Sequence, residues 1–221
     1  MEPTKERPPL APELPTELET GADLQNAAEE AATAQQDVMG LRFVESSLGG
    51  VAGVCLEFSA CVFERCAFRE NDVKRVSFVD CVLDHCDLSN MRFDRATFQR
   101  VRFQNCRMTG VSFGDAALMN ALFQSCAMDY ASFSDTKLDR VCLAENRMRE
   151  SVWASVAMSH VAWVKNDLTR AQWHRTPLKG MDMRTCEVEA WAIDTGDLRG
   201  VRVTPLQALE LSRLLGLVIE D

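Results

Sequence analysis

The chain has 221 residues, 47% hydrophobic and 26% charged, with a formal net charge of −9, an ordinary balance for a globular protein. No apolar run approaches the roughly 20 residues needed to span a bilayer, and no basic start precedes an apolar stretch as a secretory signal requires. We therefore expect a cytoplasmic protein with no membrane contact, in which nine cysteines are reduced thiols and not a disulfide framework.

The acidity is concentrated at the start. Residues 1–40 hold nine acids and two bases, whereas 41–203 hold 21 of each. Residues 1–16 are rich in Pro and Glu and show no hydrophobic period, which predicts a disordered, acidic, Pro-rich tail over 1–20. Residues 21–40 contain the Ala-, Glu- and Gln-rich run GADLQNAAEEAATAQQDV, which predicts a short N-terminal capping helix stopped by Gly40.

From 41 to 203 the sequence repeats every five residues. Centres at numbers ending in 3 or 8 run from Phe43, Leu48, Phe58 and Phe63 to Ile193, Leu198 and Val203, and among 33 centres only Gly53 is not apolar. All eleven phenylalanines fall on centres, as do Trp153, Trp163 and Trp173. Two residues before each centre the position is small or apolar, as in Cys61, Val76, Ala96, Val111, Ala121 and Val141, and no charge in this region occupies either position. A period of five fits neither the 3.6 of a helix nor the 2 of a simple strand, so two positions in five face inward and the chain turns every five residues. Gly49, Gly50 and Gly53 fall where the pattern is weakest and predict an irregular first coil.

Blocks such as CVFER (61–65), CDLSN (86–90), ATFQR (96–100) and ASFSD (131–135) carry this pattern, and it resembles the pentapeptide-repeat family. The resemblance implies an all-β fold, a right-handed quadrilateral parallel β-helix with four pentapeptides per coil and about eight coils over 41–203. At ordinary strand spacing the rod would be roughly 40 Å long. Both ends of such a solenoid need covering, because each exposes unpaired backbone.

After the last repeat, 204–221 loses the five-residue phase and reads as a helix. Thr204 with Gln207 is a capping-box pattern, Pro205 occupies the first helical position and Gly216 marks the stop. Its leucines exceed one stripe, so one side should cover the last coil and the other meet a partner. The segment 197–221 also resembles the C-terminal module of the Qnr-type quinolone-resistance proteins, which implies a bacterial homodimer. The expected interface is Leu206, Leu209, Leu211, Leu214, Leu215, Leu217 and Val218.

Candidate chemistry is sparse. With twenty residues per coil, Cys66, Cys86, Cys106 and Cys126 stack on one face, with Asn146, Asn166 and Cys186 further along it. Parallel thiols aimed into an apolar interior do not converge on a metal, and we expect small core-fillers continued by an amide ladder. His85, His160 and His174 fall on three faces, so no pair cooperates. We expect no catalytic residues, no cofactor and no metal.

With Tyr130 the one outward aromatic of its kind and bases balanced by acids, direct nucleic-acid binding is not expected. The reading is of a non-enzymatic scaffold for protein–protein interaction, with its protein partner unidentified. The alternative, implied by the Qnr resemblance, is a DNA mimic that binds the type II topoisomerases, DNA gyrase and topoisomerase IV, and protects them from quinolones. The four faces carry net charges of about +1, −2, 0 and +1, which gives no strongly acidic side, and the unbroken phase leaves no room for the loops of that branch.

Overall fold

A computed structural model describes residues 8–50, 55–69 and 75–217. Gly53 and Val218 lie outside the described residues. The chain forms a parallel β-solenoid of about eight coils, with a helix before it and a helix after it.

Strand partners are twenty residues apart throughout the solenoid: Arg42 with Val62, Val62 with Val82, Val82 with Arg102, Arg102 with Leu122, Leu122 with Cys142 and Cys142 with Ala162. The same register holds at Ser47 with Ala67 and Cys55 with Arg75. Twenty residues are four pentapeptides, so each coil has four sides. Two adjacent sides share one twelve-stranded sheet, and in Arg75–Asp84, Thr97–Gln104 and Ala117–Gln124 single strands turn the corner between them. A four-stranded sheet from Ser132–Ser134 to Ala192–Ile193 builds another side. The remaining side begins as Ser47–Gly49 on Ala67–Arg69 and continues as parallel bridges through Asp87, Arg107, Ala127, Arg147, Asp167 and Glu187.

The sequence dictates this shape through its corners. Nearly every residue whose number ends in 0 or 5 has a left-handed backbone, and the non-glycines among them have φ between 49° and 62°. Such a conformation costs an ordinary residue about 1–2 kcal/mol. Most corners recover stability through their own N–H, which bonds to the next coil, as in Glu45 to the Glu64 carbonyl at 2.9 Å and His85 to that of Gln104 at 2.9 Å. At Gly110 a Cβ would meet Asn90 Oδ1 at 2.5 Å, so a side chain there would require Asn90 to move.

The centres fill the interior. Phe58, Phe78 and Phe98 stack with centroids 5.2 and 5.4 Å apart, and on an adjacent side Phe113, Phe133, Trp153 and Trp173 form a second stack at 5.0, 4.1 and 5.2 Å. These separations match the coil spacing of about 4.8 Å, so each ring lies over its equivalent in the preceding coil.

Helix α1 (Leu24–Ala34) covers the first coil with Leu24, Ala28 and Ala31, an i, i+4, i+7 stripe that is buried. Asp23 caps it by accepting the Asn26 N–H, and Gly49 donates its N–H to Gln25 Oε1 at 2.8 Å. The helix ends earlier than expected. Gln35 supplies the left-handed cap, and Gly40, with φ 69°, is instead the first corner of the solenoid.

The segment before α1 departs further from expectation. Residues 8–20 were predicted to be disordered, yet they lie as an extended strap on the solenoid. Glu19–Thr20 pairs in parallel with Leu41 and Arg42, Glu13 N–H donates to Asp80 Oδ1 at 2.8 Å, and Leu10 N–H donates to Asn120 Oδ1 at 3.2 Å. Hydrophobic periodicity missed it because the strap is held through its backbone and places few apolar side chains in the core.

Candidate interaction surfaces

Inside the solenoid, polar chemistry is structural. Two residues before the centre a donor recurs, aimed at the carbonyl of the centre 23 residues earlier. Cys61, Cys66, Cys81, Cys86, Cys106 and Cys126 place Sγ 3.3–3.5 Å from the carbonyls of Val38, Phe43, Phe58, Phe63, Leu83 and Phe103. Thr136, Asn146, Asn166 and Thr176 reach those of Phe113, Phe123, Leu143 and Trp153 at 2.8, 3.0, 2.8 and 3.1 Å. Burial pushes the thiols of Cys81 and Cys186 up, which keeps them protonated and unreactive.

The amide ladder appears as the sequence suggests: Asn146 Nδ2 donates to Asn166 Oδ1 at 3.0 Å, and the N–H groups of Cys126 and Asn146 donate to the amide oxygens one coil on. Among the described residues no group of three or more His, Cys, Asp or Glu side chains could hold a metal ion.

The outer charges are also spent on neighbours. Arg65 meets Glu45, Lys165 meets Glu145 and Arg170 meets Glu150 at the same corner, and Arg107 meets Asp87 on one side, in each case twenty residues apart. Opposite charges on adjacent coils leave each side close to neutral.

The C-terminal end differs. Helix α2 (Pro205–Ser212), extended by a 3₁₀ turn Arg213–Leu215, begins with the expected capping box. Gln207 N–H donates to Thr204 Oγ1 at 3.2 Å and Thr204 N–H donates to Gln207 Oε1 at 2.8 Å. Gln207 has a second role that the capping pattern does not reveal. Its Nε2 donates to the carbonyls of Met183 and Cys186 at 2.8 and 2.7 Å, which ties the helix to the last coils. Gly216 ends the turn with φ 72°.

The seven residues expected at an interface divide. Leu211 is buried and Leu214 packs against the core, beside a groove of about 240 Å³ lined with Val188 and Trp191, so these two leucines belong to the fold of the single chain. Leu206, Leu209, Leu215 and Leu217 are 79%, 51%, 65% and 56% exposed. Leu206, Leu209 and Leu217, with Glu210 and Arg213, line a shallow groove of about 260 Å³. Val218 lies outside the described residues.

The sequence of the solenoid matches a family described as the pentapeptide repeat region, in overlapping stretches 56–123, 81–153 and 96–173. No curated protein matches significantly. Among solved structures, the chain is similar to a trypsin-treated form of QnrB1, a plasmid-mediated fluoroquinolone resistance protein, at 20% identity and a TM-score of 0.46 over 92% of this chain and 97% of that one. It is also similar to a pentapeptide repeat protein of the Arabidopsis thaliana thylakoid lumen, at 17% identity and 0.31 over 59% and 71%. A third, HetL of Nostoc sp. strain PCC 7120, described as involved in heterocyst differentiation regulation, matches at 10% and 0.31 over 82% and 95%. The matched stretches together span more than half of the chain, and the five-residue period and twenty-residue register are those of the fold itself, so the chain belongs to the pentapeptide-repeat family.

Proposed function

We propose that this protein is a non-enzymatic interaction scaffold of the cytoplasm that pairs with a second copy through α2 and presents its sides to another protein. The observation that carries this reading is the exposure of Leu206, Leu209, Leu215 and Leu217 together at one end of the rod. Leucines at that exposure gain from burial about 25 cal/mol per Å² of apolar area, and at a chain end a second copy can cover them without disturbing the coils. Supporting it, the thiols, hydroxyls and amides that reach the centres' carbonyls inside the solenoid hold neighbouring coils together.

Sedimentation equilibrium at 1–50 μM tests the pairing. The expected result is a dimer for the native chain and a monomer of unchanged melting temperature for Leu209→Asp with Leu215→Asp. A native chain that stays monomeric across this range overturns the pairing. Leu211→Asp and Leu214→Asp are unsuitable probes, because both leucines support the single chain.

The topoisomerase reading has less support. A DNA mimic needs a continuous negative potential to compete for a positive groove, and the cross-coil ion pairs neutralise each side.

A further inference from the structure

The strap carries information beyond its own order. Prolines stand at 9, 12 and 15, every third residue, and the residues that donate backbone N–H groups to the solenoid, Leu10 and Glu13, directly follow the first two. A polyproline II helix has three residues per turn and rises about 3.1 Å per residue, so N–H groups three apart point the same way about 9.3 Å apart. Their acceptors, Asp80 and Asn120, stand at one corner two coils apart, which at ordinary strand spacing is about 9.6 Å. The two pitches coincide. Two of the three prolines lie against the solenoid: Pro9 and Pro12 are half-buried, whereas Pro8, Leu10, Ala11, Glu13, Leu14 and Pro15 are exposed.

The acceptors are fixed by the solenoid. Arg100, at the same corner on the intervening coil, holds both Asp80 oxygens at 2.6 Å, and Arg140 donates to Asn120 Oδ1 at 3.2 Å. Beneath the strap Asp80 and Asn120 are only 8% and 7% exposed. A buried acceptor of this kind requires a donor. At Asp80 and Asn120 the strap's N–H groups join those of the arginines.

We propose that the corner formed by Asp80, Arg100 and Asn120 is a binding site for polyproline II segments with proline at every third residue. The chain's own residues 9–15 fill it in cis, and a proline-rich segment of a partner protein fills it in trans. Recognition is by backbone: an N–H after each of two successive prolines, presented at the pitch of two coils, with the proline rings laid against the corner. It differs from the aromatic-lined grooves that commonly receive such peptides. The site accepts a partner because the arginines hold it in shape and the cis segment is anchored along 8–15 by only two backbone hydrogen bonds.

The test uses the full chain carrying Leu10→Pro and Glu13→Pro, which keeps the strap's conformational preference but removes both donated protons. The probe is a fluorescein-labelled peptide of residues 8–17 followed by anisotropy. We expect micromolar binding to this variant, binding at least tenfold weaker to the native chain, and none when Asp80→Ala and Asn120→Ala are added. A peptide carrying the two proline substitutions should not bind. Circular dichroism melting confirms that each protein is folded, and Asp80→Leu with Asn120→Leu, which keeps the side-chain volume but carries no acceptor, serves if the alanine pair does not fold. The proposal is overturned if the peptide fails to bind the Leu10→Pro, Glu13→Pro chain, binds it no better than the native chain, or binds undiminished without the two acceptors.

Discussion

Two residues before a centre, a donor where one occurs serves a carbonyl on the preceding coil. The carbonyls of Leu88 and Phe93 close four-residue turns with the N–H groups of Met91 and Ala96 and are followed 23 positions later by apolar Val111 and Ala116, whereas those of Phe113 and Leu168 close such turns and also accept from Thr136 and Trp191. For Phe63, Leu83, Phe103, Phe123 and Leu143 the residue 23 positions later is Cys or Asn and supplies a hydrogen bond to the carbonyl. The cysteine stack is therefore a set of small donors. Asn166 is the most connected: it donates to the Leu143 carbonyl and accepts from the Asn146 backbone and side chain. Asn166→Ala should cost about 3 kcal/mol, since unpaired buried groups cost about 1–3 kcal/mol each, and urea unfolding monitored by tryptophan fluorescence measures it. Cysteine and asparagine at these positions were legible in the sequence as a stack, but the carbonyls they serve were not, because a backbone acceptor leaves no mark on its own residue type.

At the scale of single elements, the two helices and the strap were legible to different degrees. Helix α2 declares its start through Thr204, Pro205 and Gln207, residues whose side chains or rings act locally. Its two-sidedness was readable as an excess of leucines, but their division required the last coil to be in place. The strap follows a period of three, visible in its prolines, that has no hydrophobic stripe to announce it. Its anchor should respond to pH. Burial alone would raise the Asp80 carboxyl, but hydrogen bonds from Arg100 and the Glu13 N–H, with the guanidinium charge, more than offset this and hold it below its ordinary value of 3.8. A depressed pKa contributes stability that is fully present above that ordinary value and lost as pH falls through the lower, folded one. The Glu13 amide resonance should therefore keep its docked position from pH 7 to pH 5 and move toward that of a free peptide well below pH 3.8. A resonance unchanged to pH 2 would show that the carboxylate does not hold the strap.

For the whole molecule, the period of five was fully legible because two positions in five are buried in every block, and a phase kept over many repeats has one reading. The partner was not legible, since the outward residues satisfy one another across coils and their identities are set partly by that pairing. Exposed pairs of this kind contribute little each, but they determine the field that an approaching molecule meets. In a gyrase supercoiling assay with ciprofloxacin we expect no protection from the purified protein at low micromolar concentration. Protection there would place the chain among topoisomerase-binding proteins despite its neutral sides.

The left-handed corner at every fifth residue makes azimuth a matter of counting. Removing one five-residue block would rotate everything after it by a quarter turn, as if an odometer had skipped a digit, so that Asn120 would leave the line of Asp80. Removing twenty residues would restore the heading and merely shorten the rod. Lineages descended from this chain can therefore change length freely only in whole revolutions, and any feature that reads two coils at once, as the strap does, becomes a check on the count.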